Sequence, residues 1–281
     1  NGEIGYGLSL ATRAYRLRLL NGSNSRTYKL AWSDGTPLTV IATDGGLLEQ
    51  PVRRDYVTLA PGERVELWAD FSERSVGTEL RLQSLTFSGA TAFGMAMMGS
   101  SSRLANGASF DVLRVRIERE EAERLSLPEQ LSAIRWNAIE DAVNRRKPRT
   151  FELAMRRMNW LINGRTFEME GVARDEVVHL GDTEVWEFVN QDPAMNMIHP
   201  MHVHEVQFQV LEREVHPSLQ EVYDTVRHGY VDEGWKDTVL VMPGERVKLL
   251  IKFGHYAGLY LYHCHNLEHE DLGMMRNFRI K

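Results

Sequence analysis

Asp237-Thr-Val-Leu-Val-Met-Pro-Gly-Glu-Arg-Val-Lys-Leu249, with Phe253 beyond it, repeats Asp55-Tyr-Val-Thr-Leu-Ala-Pro-Gly-Glu-Arg-Val-Glu-Leu67, with Phe71 beyond. Aspartate, valine, Pro-Gly-Glu-Arg-Val, leucine and phenylalanine fall at the same relative positions in both copies. A shared turn composition does not produce a match of that length by chance. After the Pro61-Gly62 turn, Val65, Leu67 and Ala69 alternate with Glu66, Trp68 and Asp70, the period of a half-buried strand. The repeat therefore predicts two copies of one β-sandwich unit. Its Glu63/Arg64 and Glu245/Arg246 pairs are expected to be solvated turn charges.

The surrounding sequence agrees. Tyr15, Leu17 and Leu19 alternate with Arg16 and Arg18 before an Asn21-Gly22 turn, and Phe151, Leu153 and Met155 alternate ahead of Asn163-Gly164. Short strands punctuated by Gly, Pro and Asn predict an all-β fold. Residues 1–125 make a first domain and residues 150–281 a second, with a linker at 126–149. In the linker, Leu127-Pro128-Glu129 opens an expected helix that runs through Ile134 and Ile139 to Val143, ended by Asn144-Arg-Arg-Lys-Pro148. The charge run from Glu118 to Arg124 reads as a solvated face. Asn1-Gly2 matches Asn163-Gly164, so the chain is expected to start inside the first strand of its first domain.

With 281 residues, of which 43% are hydrophobic, the chain has material for two cores. A net charge of -6 argues against a nucleic-acid surface. No apolar run approaches the roughly 18 residues of a membrane-spanning helix, so no membrane partner is expected. The single cysteine excludes an intrachain disulfide. All ten histidines lie at or after His179, so the first domain can hold no histidine or cysteine metal site of its own.

That cysteine sits in Tyr262-His263-Cys264-His265, followed by His269 and Gly273-Met274-Met275. Thiolate, imidazole and thioether are the ligand set of a blue-copper centre, two His and one Cys in a plane with a weak axial Met. Leu259 to Cys264 reads as a strand, so His263 and His265 share one face while Cys264 points to the other. In His199-Pro200-Met201-His202-Val203-His204, the same parity puts His202 and His204 together and His199 opposite. Combining the stretches gives two sites: His199, Cys264, His269 and Met274 in one, and His202, His204, His263 and His265 in the other. A structural zinc site suits this donor set less well than copper does.

His-Pro-x-His-x-His followed by His-Cys-His-x3-His-x4-Met resembles the C-terminal signature of the multicopper oxidases, specifically their bacterial laccase-like branch. Asn21-Gly-Ser-Asn, Trp235-Lys-Asp-Thr and Glu268-His-Glu-Asp-Leu-Gly-Met-Met are family-like as well, so the resemblance covers essentially the whole chain, as family domains two and three. It implies two cupredoxin-like Greek-key β-sandwich domains. It also implies type 1 copper on His199, Cys264, His269 and Met274, a type 2 ligand at His202, and type 3 ligands at His204, His263 and His265. The complete enzyme would hold four copper ions, with electrons relayed from Cys264 through His263 and His265. A methionine at position 274 implies a type 1 potential in the lower part of the family's range. Glu270 matches an acidic position that in similar enzymes helps deliver protons; the alternative is a loop carboxylate capping amides. Export to the periplasm or outside the cell is implied by the family.

The sequence departs from the family in two places. The trinuclear cluster of similar enzymes takes half its histidines from an N-terminal domain with two His-x-His motifs, and none is present here. The expected partner is thus an N-terminal cupredoxin domain on a separate or cleaved chain. Glu205 stands where similar sequences often have Gly. The leading expectation is a laccase-like oxidase using O2 and a small aromatic reductant, a phenol or aromatic amine, with Cys264 and Glu270 as catalytic residues. A cuprous or other metal-ion oxidase is the alternative, and a blue-copper electron-transfer module the reading if the chain acts alone. Met195, Met197 and Met201 lie around His199 and leave the metal-ion alternative open, while Met95, Met97 and Met98 read as core filler. His179, His216, His228 and His255 lack ligand-like neighbours and read as surface residues.

Overall fold

Both copies of the repeat are arches that carry the chain from one sheet of a sandwich to the other. A computed structural model describes residues 5–89, 104–122, 125–190 and 197–281. Val57–Leu59, before the first Pro-Gly turn, edges a five-stranded sheet, and Arg64–Asp70, after it, lies inside a four-stranded sheet. The first sheet runs Gly7–Ala11, Phe110–Arg119, Glu79–Ser84, Tyr28–Trp32, Val57–Leu59, and the second Ala14–Leu20, Arg64–Asp70, Leu38–Thr43, Gly46–Arg54. The second copy repeats the path. Thr238–Val241 edges a sheet ordered Val177–Val178, Met275–Ile280, Gly258–Cys264, His199–Val203, Thr238–Val241. Glu245–Lys252 lies inside the facing sheet, ordered Asn159–Ile162, Arg149–Arg156, Thr183–Val189, Glu245–Lys252, Phe208–Val215. The all-β, two-sandwich expectation holds, with the non-sequential strand order of a Greek key.

The alternation read in the sequence becomes burial. Val65, Leu67, Ala69 and Phe71 enter the first core, and their counterparts Val247, Leu249, Ile251 and Phe253 the second. Each of these side chains other than Ala69 contributes roughly 1.5–3 kcal/mol when fully buried. Around Phe253 the second core stacks Phe151, Trp186, Phe188, Tyr262 and Phe278, which puts a dense aromatic layer directly beneath the strand that ends at Cys264.

Two expectations need correcting. Glu63 and Glu245 are not solvated; they are buried inside the arches. The Ala60 amide donates to Glu63 Oε2 at 2.7 Å and the Met242 amide to Glu245 Oε2 at 2.6 Å. A chain passing between sheets leaves an amide with no strand partner, and a buried amide must find an acceptor. Each carboxylate in turn meets a cation, Lys236 Nζ at 3.0 Å from Glu63 and Arg213 Nη1 at 3.0 Å from Glu245, as a buried charge requires. Arg64 and Arg246 pair with Asp237 and Glu187.

The linker helix is also far shorter than the expected span from Leu127 to Val143. Among the described linker residues only a 3-10 turn, Ile139–Asp141, is helical, and the rest is extended or irregular. The Leu131 amide donates to the Glu49 carbonyl at 2.8 Å, Ser132 Oγ to the Leu48 carbonyl at 2.9 Å, and the Asn137 amide to Gln209 Oε1 at 2.8 Å. A helix would turn those groups onto one another and forfeit this strap across both sandwiches. Asn1-Gly2, the end of the charge run at Glu123 and Arg124, and Met95, Met97, Met98 and Met195 lie outside the described residues.

Candidate metal centre

Two adjacent strands build the site by their register. His199–Val203 pairs antiparallel with Gly258–Cys264, setting Met201 opposite Cys264, His202 opposite His263 and Val203 opposite Tyr262. Because strand side chains alternate between faces, Met201, Val203, Tyr262 and Cys264 face the core while His202 and His263 face away from it. His204 and His265 follow just past the strand ends, their backbone amides donating hydrogen bonds to the Leu261 and Pro200 carbonyls at 3.0 and 2.6 Å.

On the inner face, Cys264 Sγ lies 3.6 Å from His199 Nδ1 and 3.5 Å from His269 Nδ1, and the two Nδ1 atoms are 3.2 Å apart. His199, Cys264, His269 and Met274 are each at most 3% exposed. Burial pushes the Cys264 thiol well above its ordinary value and depresses His269 to about 4, and burial with the neighbouring His269 holds His199 well below the usual imidazole range. At neutral pH the imidazoles are therefore neutral, their ligand form. A metal ion in the plane of three such donors, about 2.0–2.3 Å from each, sets donor separations of roughly 3.5–3.8 Å. The observed triangle is only slightly tighter, so these residues fit a trigonal Cys-His-His site. Met274 is locked beside it: its amide donates to the His269 carbonyl at 2.9 Å and its carbonyl accepts from the Cys264 amide at 3.0 Å.

On the outer face, ligand atoms of His202, His204 and His263 lie within 4.8 Å of one another. His204 Nε2 and His263 Nε2 are 3.1 Å apart, and the rings of His202 and His265 have centroids 6.0 Å apart. Among the described residues, His265 Nδ1 is buried with no hydrogen-bond partner. Burial and the neighbouring imidazoles depress His263 to about 3. Converging imidazoles, with His204 and His263 held below the usual range by burial, suit a cation-holding cluster. Glu270 Oε2 sits 3.3 Å from His263 Nδ1, and burial raises its carboxyl above the ordinary value.

The structure thus gathers His199, Cys264 and His269 on one side of the strand and His202, His204 and His263 on the other, with the Met274 backbone bonded to the first group and the His265 ring outside the second, 5.6 Å from that of His263. It adds residues that carried no sequence signal. The Trp160 indole stacks on His269 with ring centroids 3.9 Å apart and meets His199 edge-on at 5.4 Å. Asn266 stands at the N-cap position of the short helix Leu267–Asp271 that carries His269, and its Nδ2 donates to the Ile198 carbonyl at 2.9 Å rather than capping the helix. Gly273 has φ +109°, and a Cβ there would lie 3.1 Å from the Trp160 carbonyl, so only glycine lets this loop close on the tryptophan strand. Met201 is core, and Met197 is partly buried against the same cluster. Glu205 adopts φ +71°, a conformation that glycine reaches with least strain. His179, His216, His228 and His255 are exposed, as expected.

Comparison with known proteins shows what the chain is similar to. Residues 142–281 match the family described as Multicopper oxidase. The whole chain aligns at 29% identity with 53% of a laccase from Bacillus subtilis, and at 28% with 51% of the multicopper oxidase mco from Staphylococcus haemolyticus. A crystal structure of a variant of McoA multicopper oxidase from the hyperthermophile Aquifex aeolicus superposes with a TM-score of 0.82 at 33% identity, covering 98% of this chain and 57% of that one. The chain spans about half the length of the curated relatives it matches. Among the described residues no helix is long and apolar enough to cross a membrane.

Proposed function

The chain belongs to the multicopper oxidases, a copper-dependent family, and on that premise we propose that it is the donor-oxidising part of a laccase-like enzyme and carries half of its oxygen-reducing cluster. The observation that carries this reading is the single strand with a buried Cys-His-His triangle on one face and a histidine cluster on the other. The chemistry copper supplies when bound is one-electron transfer: oxidation of phenols or aromatic amines coupled to four-electron reduction of O2 to water.

The chain's own residues make that coupling possible. Cys264, His199, His269 and Met274 would hold the type 1 ion, with Trp160 shielding the imidazoles from water. An apolar, dry surround tunes the potential of such a site. His202 would serve the type 2 position and His204, His263 and His265 the type 3 pair. The backbone on either side of Cys264 is a short covalent path between the two groups. Further histidines from a cupredoxin domain outside these 281 residues would complete the cluster, in keeping with relatives of about twice this length. A periplasmic or extracellular setting accompanies the reading.

Copper content and the visible spectrum of the full-length protein test this proposal. A blue thiolate band, about four coppers per assembly and oxygen uptake with a phenol are expected. A single copper would sink the cluster, and no blue band would sink the whole reading.

Glu270 is proposed to hand protons to the histidine side. Glu270→Gln keeps the shape and removes the exchangeable acid, so oxygen consumption is expected to fall by about a hundredfold. Copper content and anaerobic bleaching of the blue band stay as they are. Unchanged turnover would leave Glu270 a purely structural contact of His263.

A further inference from the structure

We propose that the Pro61–Arg64 turn of the first sandwich, a domain with no histidine or cysteine of its own, positions His202 and His265 in the histidine group. The proposal rests on the oxidase reading. It begins at His202, whose Nδ1 lies 2.9 Å from the Asp237 carbonyl and 3.0 Å from Thr238 Oγ1. A proton on Nδ1 directed at that carbonyl leaves Nε2 as the free ligand atom, the usual way an outer partner fixes a metal-binding imidazole. Asp237 is held in place from the other sandwich. Arg64 donates Nη1 and Nη2 to its two carboxylate oxygens at 2.7 and 2.6 Å, a bidentate grip that fixes orientation as well as distance.

Arg64 is itself braced. Its amide donates to Asp44 Oδ1 at 2.7 Å, and its guanidinium to the Gly62 carbonyl at 3.0 Å. Asp44 and Glu63 both reach Lys236 Nζ, at 3.1 and 3.0 Å, beside Asp237 in the chain. All three first-sandwich side chains, Asp44, Glu63 and Arg64, thus converge on the two residues that precede Thr238.

The same turn reaches the second histidine by contact. Gly62 has φ +84°, and a Cβ there would lie 2.5 Å from His265 Cδ2. His265 is pinned on its backbone side by the hydrogen bond its amide donates to the Pro200 carbonyl, and its ring is seated against a turn that has no side chain at that point. Among the described residues, the contacts of this turn with the second sandwich run to the histidine side of the strand, through Asp237, Lys236 and His265, and none is recorded to His199, Cys264 or His269. A second bridge between the sandwiches, from Arg54 to the Tyr230 carbonyl at 3.0 Å and to Glu233, involves no histidine and serves as the control.

The test uses the full-length protein with Arg64→Met, Arg64→Lys and Arg54→Met, reading copper content, the thiolate band and the electron paramagnetic resonance of type 2 copper. Arg64→Met is expected to alter the type 2 hyperfine pattern and to weaken copper retention on the histidine side by about ten- to a hundredfold, with the thiolate band intact. Arg64→Lys keeps the charge without the fork and falls between the two; it also serves if the methionine variant does not fold. Arg54→Met lowers the thermal midpoint and leaves the resonance unchanged. Unchanged resonance and retention in both Arg64 variants would overturn the proposal, as would an equal perturbation by Arg54→Met. If the unaltered protein held no histidine-bound copper at all, the oxidase reading would fall, and this inference with it.

Discussion

Cys264→Ser is expected to abolish the blue absorption, to lower copper content by about one ion per chain, and to drop donor oxidation to background. The thiol is fully buried between two imidazoles whose Nδ1 atoms stand 3.5 and 3.6 Å from its sulfur. Burial alone would keep it protonated at neutral pH. A bound cation reverses that preference, because a coordinated thiol is deprotonated outright. A serine hydroxyl in the same pocket has a far higher pKa and is a harder donor, so it replaces neither the charge nor the covalency. The histidine side is expected to keep its copper, since its donors approach from the opposite face of the strand. Copper analysis alongside absorption spectroscopy separates these outcomes. A serine variant that stayed blue would mean that Cys264 is not a ligand.

The split between faces was legible in the sequence because strand parity is a local property. His263, Cys264 and His265 alternate whatever the strand pairs with, and so do His199 and His202. The register that sets His202 opposite His263 and Met201 opposite Cys264 was not legible, because it depends on which strands become neighbours. The arch glutamates show the same limit more sharply. Glu63 and Glu245 beside Pro-Gly look like surface charges, yet their cations are Lys236, in the other half of the chain, and Arg213, on the neighbouring strand but 32 residues earlier in the chain. Nothing within a short window marks either pairing.

The linker failed for a different reason. Leu127, Leu131 and Ile134 are spaced as well for a helix as for an extended strap, and local propensity favoured the helix. The tertiary partners decided it: Glu49 takes the Ile134 amide at 3.2 Å and the Trp136 indole at 3.1 Å, and Trp136 packs against Trp235. Trp160 carried no metal-site signal, because an aromatic at that position reads as an ordinary core residue until its strand is folded over His269.

Glu176→Ala is expected to destabilise the second sandwich by about 3–5 kcal/mol, the usual consequence of stranding one half of a buried ion pair. Glu176 is fully buried, and Arg276 grips both of its oxygens at 2.8 Å while Tyr262 Oη donates to Oε1 at 2.9 Å. Alanine would leave the Arg276 guanidinium, 4% exposed, without its carboxylate. It would also free Tyr262, two residues before Cys264 on the inner face of the same strand, so the copper site is expected to loosen with the core. The pH dependence follows from the carboxyl. Burial alone would raise its pKa, but the bonds from Arg276, the Ala173 amide and Tyr262 outweigh burial and hold it below the ordinary range. Its contribution is therefore complete above the unfolded value of about 4.3 and is lost as pH falls from there toward the depressed folded value. Chemical unfolding at pH 7 gives the size of the loss, and a series from pH 6 down to about 3 gives its slope. Glu176→Gln, which cannot ionise, is expected to remove that share of the acid sensitivity. An equal acid slope in the glutamine variant would mean that another ion-paired carboxylate, such as Asp232 beside Arg213, governs the acid transition.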